Sequence, residues 1–331
     1  MPGIRICLAT AVCALAAWGQ SDIKTFYFPN AEPRVLQEYV NGIRSVGDIK
    51  DVTANPEKNS ITVSGNDEQL SIATWIAQQM TNPPAARPST VRRDYPGTVG
   101  KTDEIHVYFL AHVETPQDLQ ESINAIRSIA DIQRFFPVNV AKAILARGTP
   151  AQAELASWLV GELDQPAGSL KPGRRDHPFP SDPRSNFVQL YVLANTAHPS
   201  AIQQIVNGTR SIADIQRCFP YNSRRVLLMR GSAQQVLLAD WVLDQLDRPA
   251  GTAVAANPGE FQYNDGPSGT SVARVFFPQT ADTPQKLQAI TNEVRTATEI
   301  QRAYPVDQPN AIVLRGTADQ ISRAQELLKD R

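Results

Sequence analysis

Apolar residues recur along this chain at two spacings. At Leu36, Val40 and Ile43, and again at Leu119, Ile123 and Ile126, they return every three or four residues, the period of a helix with one buried face. Between such stretches lie short β-type runs: Val107-Tyr108-Phe109 and Val275-Phe276-Phe277 ahead of a helix, Ser60-Ile61-Thr62-Val63 and Val226-Leu227-Leu228-Met229 after one. A second helical stripe follows. At about 100° per residue, Ala73, Ile76, Ala77 and Met80 share one face. Pro33, Pro116, Pro199 and Pro284 each stand three residues ahead of the first apolar helix position. Thr115 and Thr283 precede two of these prolines, an N-cap followed by proline in the first turn. The predicted element order is β-α-β-β-α.

That order is used four times. Arg44-Ser45-Val46-Gly47-Asp48-Ile49 returns as Arg127-Ser128-Ile129-Ala130-Asp131-Ile132, as Arg210-Ser211-Ile212-Ala213-Asp214-Ile215, and more loosely as Arg295-Thr296-Ala297-Thr298-Glu299-Ile300. The spacings are 83, 83 and 85 residues. Gly65, Gly148, Gly231 and Gly316 keep them, as do Ala73, Ala156, Ala239 and Ala324. Three anchors in phase define a tandem array. The expected fold is α+β: modules at 22–82, 102–166, 185–249 and 270–331, joined by Pro-rich linkers at 83–101, 167–184 and 250–269 that should be extended and semi-rigid.

Residues 1–20 read differently. Arg5 precedes an apolar run from Ile6 to Trp18, followed by Gly19, which is too short to span a bilayer with its flanks and fits a secretory signal peptide. Cys7 and Cys13 fall inside it, leaving Cys218 alone in the exported chain and no intrachain disulfide. The expected location is periplasmic or secreted, with no transmembrane segment in the mature chain. A formal charge of −1 gives no electrostatic case for nucleic acid. Asn41-Gly42-Ile43-Arg44 and Asn207-Gly208-Thr209-Arg210 each lack the second glycine of a Gly-x-x-Gly clamp.

The endings Leu163-Asp164-Gln165-Pro166 and Leu246-Asp247-Arg248-Pro249, with the runs at 144–149, 227–232 and 312–317, resemble the periplasmic KH-like N-terminal domains of bacterial secretins of type II secretion and type IV pilus systems. The resemblance implies modules that pack on one another and on protein partners. That family's β-rich pore domain has no expected counterpart here, so a pore is not implied.

Catalytic chemistry finds little support. His106, His112, His177 and His198 fall at no common repeat position, and none pairs with a cysteine at ligand spacing, so no metal or cofactor is expected. Cys218 stands where the second repeat has Phe135, a core or strand position. Arg44, Arg127, Arg210 and Arg295 fall near a helix C-terminus, where a cation complements the dipole. Each has an acid four residues on, so a local ion pair and a partner's carboxylate are both open readings. A second apolar strip on the later helix, Ile72 with Trp75, Leu155 with Trp158 and Leu238 with Trp241, is replaced in the last repeat by Arg323 and Glu326. It packs either within its module or on a linker, or it meets a neighbouring module or partner. The function expected is a non-enzymatic exported scaffold acting by protein–protein contact or self-association, possible partners including a secretin or pilus component. The alternative is a binder of an extracellular glycan or peptide.

Overall fold

The computed structural model describes residues 22–249, 259–266, 269–329 and 331. The expected signal peptide lies outside them. The chain divides into two compact units, Met1–Asn82 and Pro83–Arg331.

The first unit holds β1 (Asp22–Tyr27), α1 (Pro33–Gly47), β2 (Asp51–Asn55), β3 (Ser60–Gly65) and α2 (Asp67–Thr81), with an antiparallel sheet in the order β1-β3-β2. The second unit repeats this order three times and adds a strand to each sheet. Its first repeat has β4 (Val91–Asp94), β5 (Glu104–Phe109), α3 (Pro116–Ala130), β6 (Arg134–Val138), β7 (Ala143–Gly148) and α4 (Pro150–Leu163). The next has β8 (Gly173–Pro178), β9 (Phe187–Val192), α5 (Pro199–Ala213), β10 (Arg217–Tyr221), β11 (Val226–Gly231) and α6 (Ala233–Leu246). The last has β12 (Phe261–Asn264), β13 (Thr270–Phe276), α7 (Pro284–Thr298), β14 (Arg302–Val306), β15 (Ala311–Gly316) and α8 (Ala318–Leu328). The sheets run β4-β5-β7-β6, β8-β9-β11-β10 and β12-β13-β15-β14, all antiparallel.

The linkers are therefore not merely extended spacers. Residues 91–94, 173–178 and 261–264 supply the outer strand of the sheet that follows them. Pro137, Pro220 and Pro305 sit on the opposite edge, in β6, β10 and β14, where a missing N–H breaks no ladder.

Local chemistry fixes each turn. Pro33, Pro116, Pro199 and Pro284 open the early helices, and the hydroxyls of Thr115 and Thr283 accept from the N–H groups of Asp118 and Lys286. These helices end on Asp48, Asp131, Asp214 and Glu299, all left-handed with φ near 60° (57°, 60°, 57° and 60°). The next helix begins with a capping box, and its glutamine also reaches back. Gln69, Gln152 and Gln235 donate to the carbonyl oxygens of Asp48, Asp131 and Asp214 at 2.8, 2.8 and 2.7 Å. That glutamine lies against the anchor glycine. A Cβ at Gly65 would stand 2.8 Å from the Gln69 Oε1 and 3.0 Å from its Cβ, so a side chain there would press on the capping glutamine. Ala73, Ala156, Ala239 and Ala324 are wholly buried at the centre of the second helix.

In the second unit the layers alternate. Val226 and Leu228 of β11 pack in one core with Ile123 and Ile126 of α3, while Leu227 and Met229 pack in another with Ile202 and Ile205 of α5. The β8-β9-β11-β10 sheet is thus covered by helices of the repeat before it and by its own. The last sheet is built likewise: Val275 and Val313 face the α5–α6 core, and Ile312 and Leu314 face α7 and α8.

Candidate interaction surfaces

The joint between repeats is the first helix of one laid on the hairpin sheet of the next: α3 on β10 and β11, α5 on β14 and β15. In the first joint Ser122 Oγ and the Tyr221 hydroxyl are 2.8 Å apart and buried, and the N–H of Asn222 donates to Glu121 Oε1 at 2.6 Å. Arg230 Nη1 donates to the Ile129 carbonyl at 2.9 Å, and Arg217 pairs with Asp131 at 2.8 Å. The second joint reuses the positions. Gln204 exchanges two hydrogen bonds with Asp307 (2.6 and 2.9 Å), Arg315 Nη1 donates to the Ile212 carbonyl at 2.8 Å, and Arg302 pairs with Asp214 at 3.0 Å. Arg230 stacks on Phe179 and Arg315 on Tyr263, at 4.1 and 3.7 Å from the ring centres. Ala125 and Gly208 lie buried at the centre of the docking helices, where a Cβ on Gly208 would meet the Tyr304 ring at 3.2 Å.

These arginines were not singled out from the sequence, although Arg217 and Arg302, like Arg230 and Arg315, keep the 85-residue spacing. The arginines of the Arg-Ser phrase do something humbler. Arg44 donates to the Val52 carbonyl and Arg295 to the Ala303 carbonyl, both at 2.7 Å in their own hairpins, and Arg210 reaches the Gln216 carbonyl at 3.5 Å. Arg127 lines a shallow surface hollow with Asp131 and Arg217. The expected local ion pair with the acid four residues on is not the one Asp131 and Asp214 make. Their carboxylates point outward from left-handed caps and meet the arginine of the following repeat. Arg217 thereby holds the Asp131 carboxyl below the usual range.

The apolar strip on the second helices splits in two. Ile72, Leu155 and Leu238 are buried in the interior, and Ile72 lies against Gly47 at the end of α1, so they offer no free surface. Trp75, Trp158 and Trp241 are half-buried. Trp158 meets His177 of β8 edge-on at 4.9 Å, and Trp241 meets Phe261 of β12 at 6.0 Å. Both contacts join a repeat to the outer strand of the sheet that follows.

The Leu-Asp endings have a structural use. Asp164 is buried and accepts from the N–H groups of Ala111 and His112, both at 2.7 Å, and from Thr90 at 2.5 Å. Asp247 accepts from the N–H groups of Ala194, Asn195 and Thr196 at 2.5, 2.9 and 2.8 Å. Each carboxylate satisfies the amides of the loop after the first strand. Beside Asp247, a cleft of about 510 Å³ lies between the last two repeats, lined among others by Asn195, His198, Arg248, Phe277, Asp307 and Asn310.

The remaining titratable groups are committed elsewhere. His106 is buried between Asp94 (2.8 Å) and Glu104 (3.1 Å), and His198 caps α5. Burial pushes the Cys218 thiol up to about 12, which suppresses the thiolate a nucleophile would need. Among the described residues no cluster of three or more His, Cys, Asp or Glu side chains could hold a metal ion, and no helix is long and apolar enough to cross a membrane.

The two ends of the array depart from the joint pattern. The first repeat has Asp51 and Ser64 where later ones carry Arg217 and Arg230. On α7 the small residue of the docking helices is replaced by an exposed Glu293, paired through both oxygens with Arg331 at 2.5 and 2.6 Å.

No family model matches the chain, and no curated protein is significantly similar to it. Among solved structures it is similar to Aeromonas hydrophila ExeD, at 12% identity over 70% of this chain with a TM-score of 0.17. It is also similar to the ETEC pilotin–secretin AspS–GspD complex, at 13% identity over 69% of this chain with a TM-score of 0.17. The chain spans 41% and 38% of those two, and a likeness this low carries no argument about what the protein does.

Proposed function

We propose that the chain is an exported, non-enzymatic scaffold whose α+β modules serve protein–protein contact. The observation that carries this reading is the repeated helix-on-sheet joint. Twice the same face of the first helix buries itself on the next sheet, with the same arginine-to-carbonyl bond, so the module is itself a docking unit. A row of such units presents a fixed series of side chains to partners, which suits an assembly component. The leader-like sequence of residues 1–20 supports a periplasmic or extracellular location. Secretin or pilus components are the partners that the resemblance in the module endings suggests.

The test is fractionation of a tagged chain followed by crosslinking in intact cells. The reading expects an exported, processed protein with defined protein adducts. A cytoplasmic chain without adducts would sink it.

The cleft beside Asp247 favours one second reading, a site for an extracellular peptide or glycan. Arg248, Asp307 and Asn310 offer a cation, a carboxylate and an amide to such a ligand beside the Phe277 ring. Titration with peptide and glycan arrays, against an Arg248→Ala variant, separates the two: a scaffold needs no saturable small ligand there.

A further inference from the structure

One position on the strand that leads into the first helix of each full repeat (β5, β9 and β13) faces a carboxylate brought by the outer strand. His106 is in register with Asp94 of β4, Nδ1 to Oδ1 2.8 Å. Gln189 is in register with Asp176 of β8 and donates to it at 3.0 Å. Arg274 lies opposite Glu260, one place beyond the registered pair Phe261–Ala273, and donates to it at 2.9 Å. The corresponding residue of the first repeat is Lys24: Val63 of β3 faces it as Ala146 of β7 faces His106. Lys24 donates to Thr74 Oγ1 at 2.9 Å and lies 5.7 Å from the centre of the Phe26 ring, with no carboxylate opposite it and no strand on the other edge of β1 among the described residues. β1 is exposed along most of its length, with Ile23 at 71% and Tyr27 at 67%.

We propose that β1 is the docking edge for an extended strand of a protein partner. The strand adds antiparallel to Asp22–Tyr27 and places a carboxylate opposite Lys24. An unpaired edge offers a ladder of main-chain donors and acceptors, and alternate side chains then set which strand is taken. The sequence of residues 1–21 offers no such carboxylate. In the full repeats the carboxylate lies 12, 13 or 14 residues before its partner, and the same steps back from Lys24 reach Val12, Ala11 and Thr10. Residues 1–21 contain no Asp or Glu at all. A second copy fits poorly as well. Two β1 strands with Asp22 opposite Lys24 would centre on Ile23 and leave residues 25–27 facing nothing within β1. The inference deepens the scaffold reading by naming one partner's chemistry and the strand that takes it. It is tested separately, since adducts formed at other surfaces leave it untouched.

The experiment uses the full exported chain and a synthetic peptide of residues 171–179, the protein's own β8 strand, with a version carrying Asp176→Asn. The expected result is slowed amide exchange in β1 on adding the peptide, and binding about two- to fivefold weaker for the Asn version, the range of an opposed charge pair across strands. Lys24→Glu should reverse the preference toward an Asp176→Lys peptide, with circular dichroism showing the fold retained. Lys24→Met should bind the Asp and Asn peptides alike. Protection of β9 instead of β1, no protection, or equal affinity of both peptides for the unaltered chain overturns the proposal. So does β1 protection that rises with protein concentration alone, which would assign the edge to a second copy.

Discussion

Arg230 donates to the carbonyl oxygen of Ile129, 2.9 Å away in the preceding repeat, with its side chain only 3% exposed. Ile129 lies in the last turn of α3, where carbonyls have no partner within the helix. The guanidinium satisfies one of them and brings a cation to the negative end of the helix dipole. Arg315 and Ile212 repeat the arrangement at 2.8 Å, so the contact belongs to the architecture rather than to one pair.

Arg230→Met keeps the bulk and removes the donors. The Ile129 and Ser185 carbonyls, which Arg230 bonds at 2.9 and 3.0 Å, then lose their partner. A loss of about 1.5–3 kcal/mol is expected, the range for hydrogen bonds to a charged group. Urea unfolding of the full chain measures it. A change within a few tenths of a kcal/mol would remove this arginine from the joint.

Gln152 carries two duties, closing the capping box of α4 and donating to the Asp131 carbonyl at 2.8 Å. Gln152→Ala is expected to cost about 1–2 kcal/mol, the sum of a cap and one neutral hydrogen bond. Gln152→Glu, which keeps an acceptor for the cap but cannot donate to the carbonyl, should fall between. Thermal unfolding of the two variants side by side checks the order.

His177 gives the array a pH dependence of definite sign. Burial beside Trp158 lowers its pKa below the usual 6.5, with Glu154 opposing weakly. The unfolded chain therefore binds the proton more readily than the folded one. Stability from this group is full above about pH 6.5 and is lost as pH falls through the folded pKa. The unfolding midpoint should decline between pH 7 and 5, and His177→Phe should flatten that decline. An unchanged slope in the variant would place the titrating group elsewhere.

Much of the fold is legible in the sequence, because the helix starts, the anchor glycines and the central alanines each follow from local geometry. Pro116 after Thr115 can hardly be anything but a helix start. The joints are harder to read, since a docking face is defined by residues far apart in the chain. One trace is visible in hindsight. Ser60-Ile61-Thr62-Val63 alternates, as a strand with one wet face does, and Thr25 and Thr62 do meet on the exposed side. Val226-Leu227-Leu228-Met229 is apolar throughout, as a strand covered on both faces must be. The outer strands are missed for a different reason. Val91–Asp94 and Gly173–Pro178 are short, polar and set among prolines, so composition argues for linker, while the open edge of the next sheet makes them strands.

The stacked joint itself is tested most directly at Gly208. Its missing Cβ lets Tyr304 and Val306 of the next sheet approach α5, and α7, which docks on no further sheet among the described residues, has Glu293 at the matching place. Amide exchange under mild urea, followed in β11 and β15 of the full chain, reports whether the last two repeats open together. In the unaltered protein the two strands should share one opening free energy. In Gly208→Glu, β15 should exchange at lower urea than β11 while both keep their native secondary structure. Independent opening of β11 and β15 in the unaltered chain, or their continued common opening in Gly208→Glu, would contradict a helix-on-sheet joint.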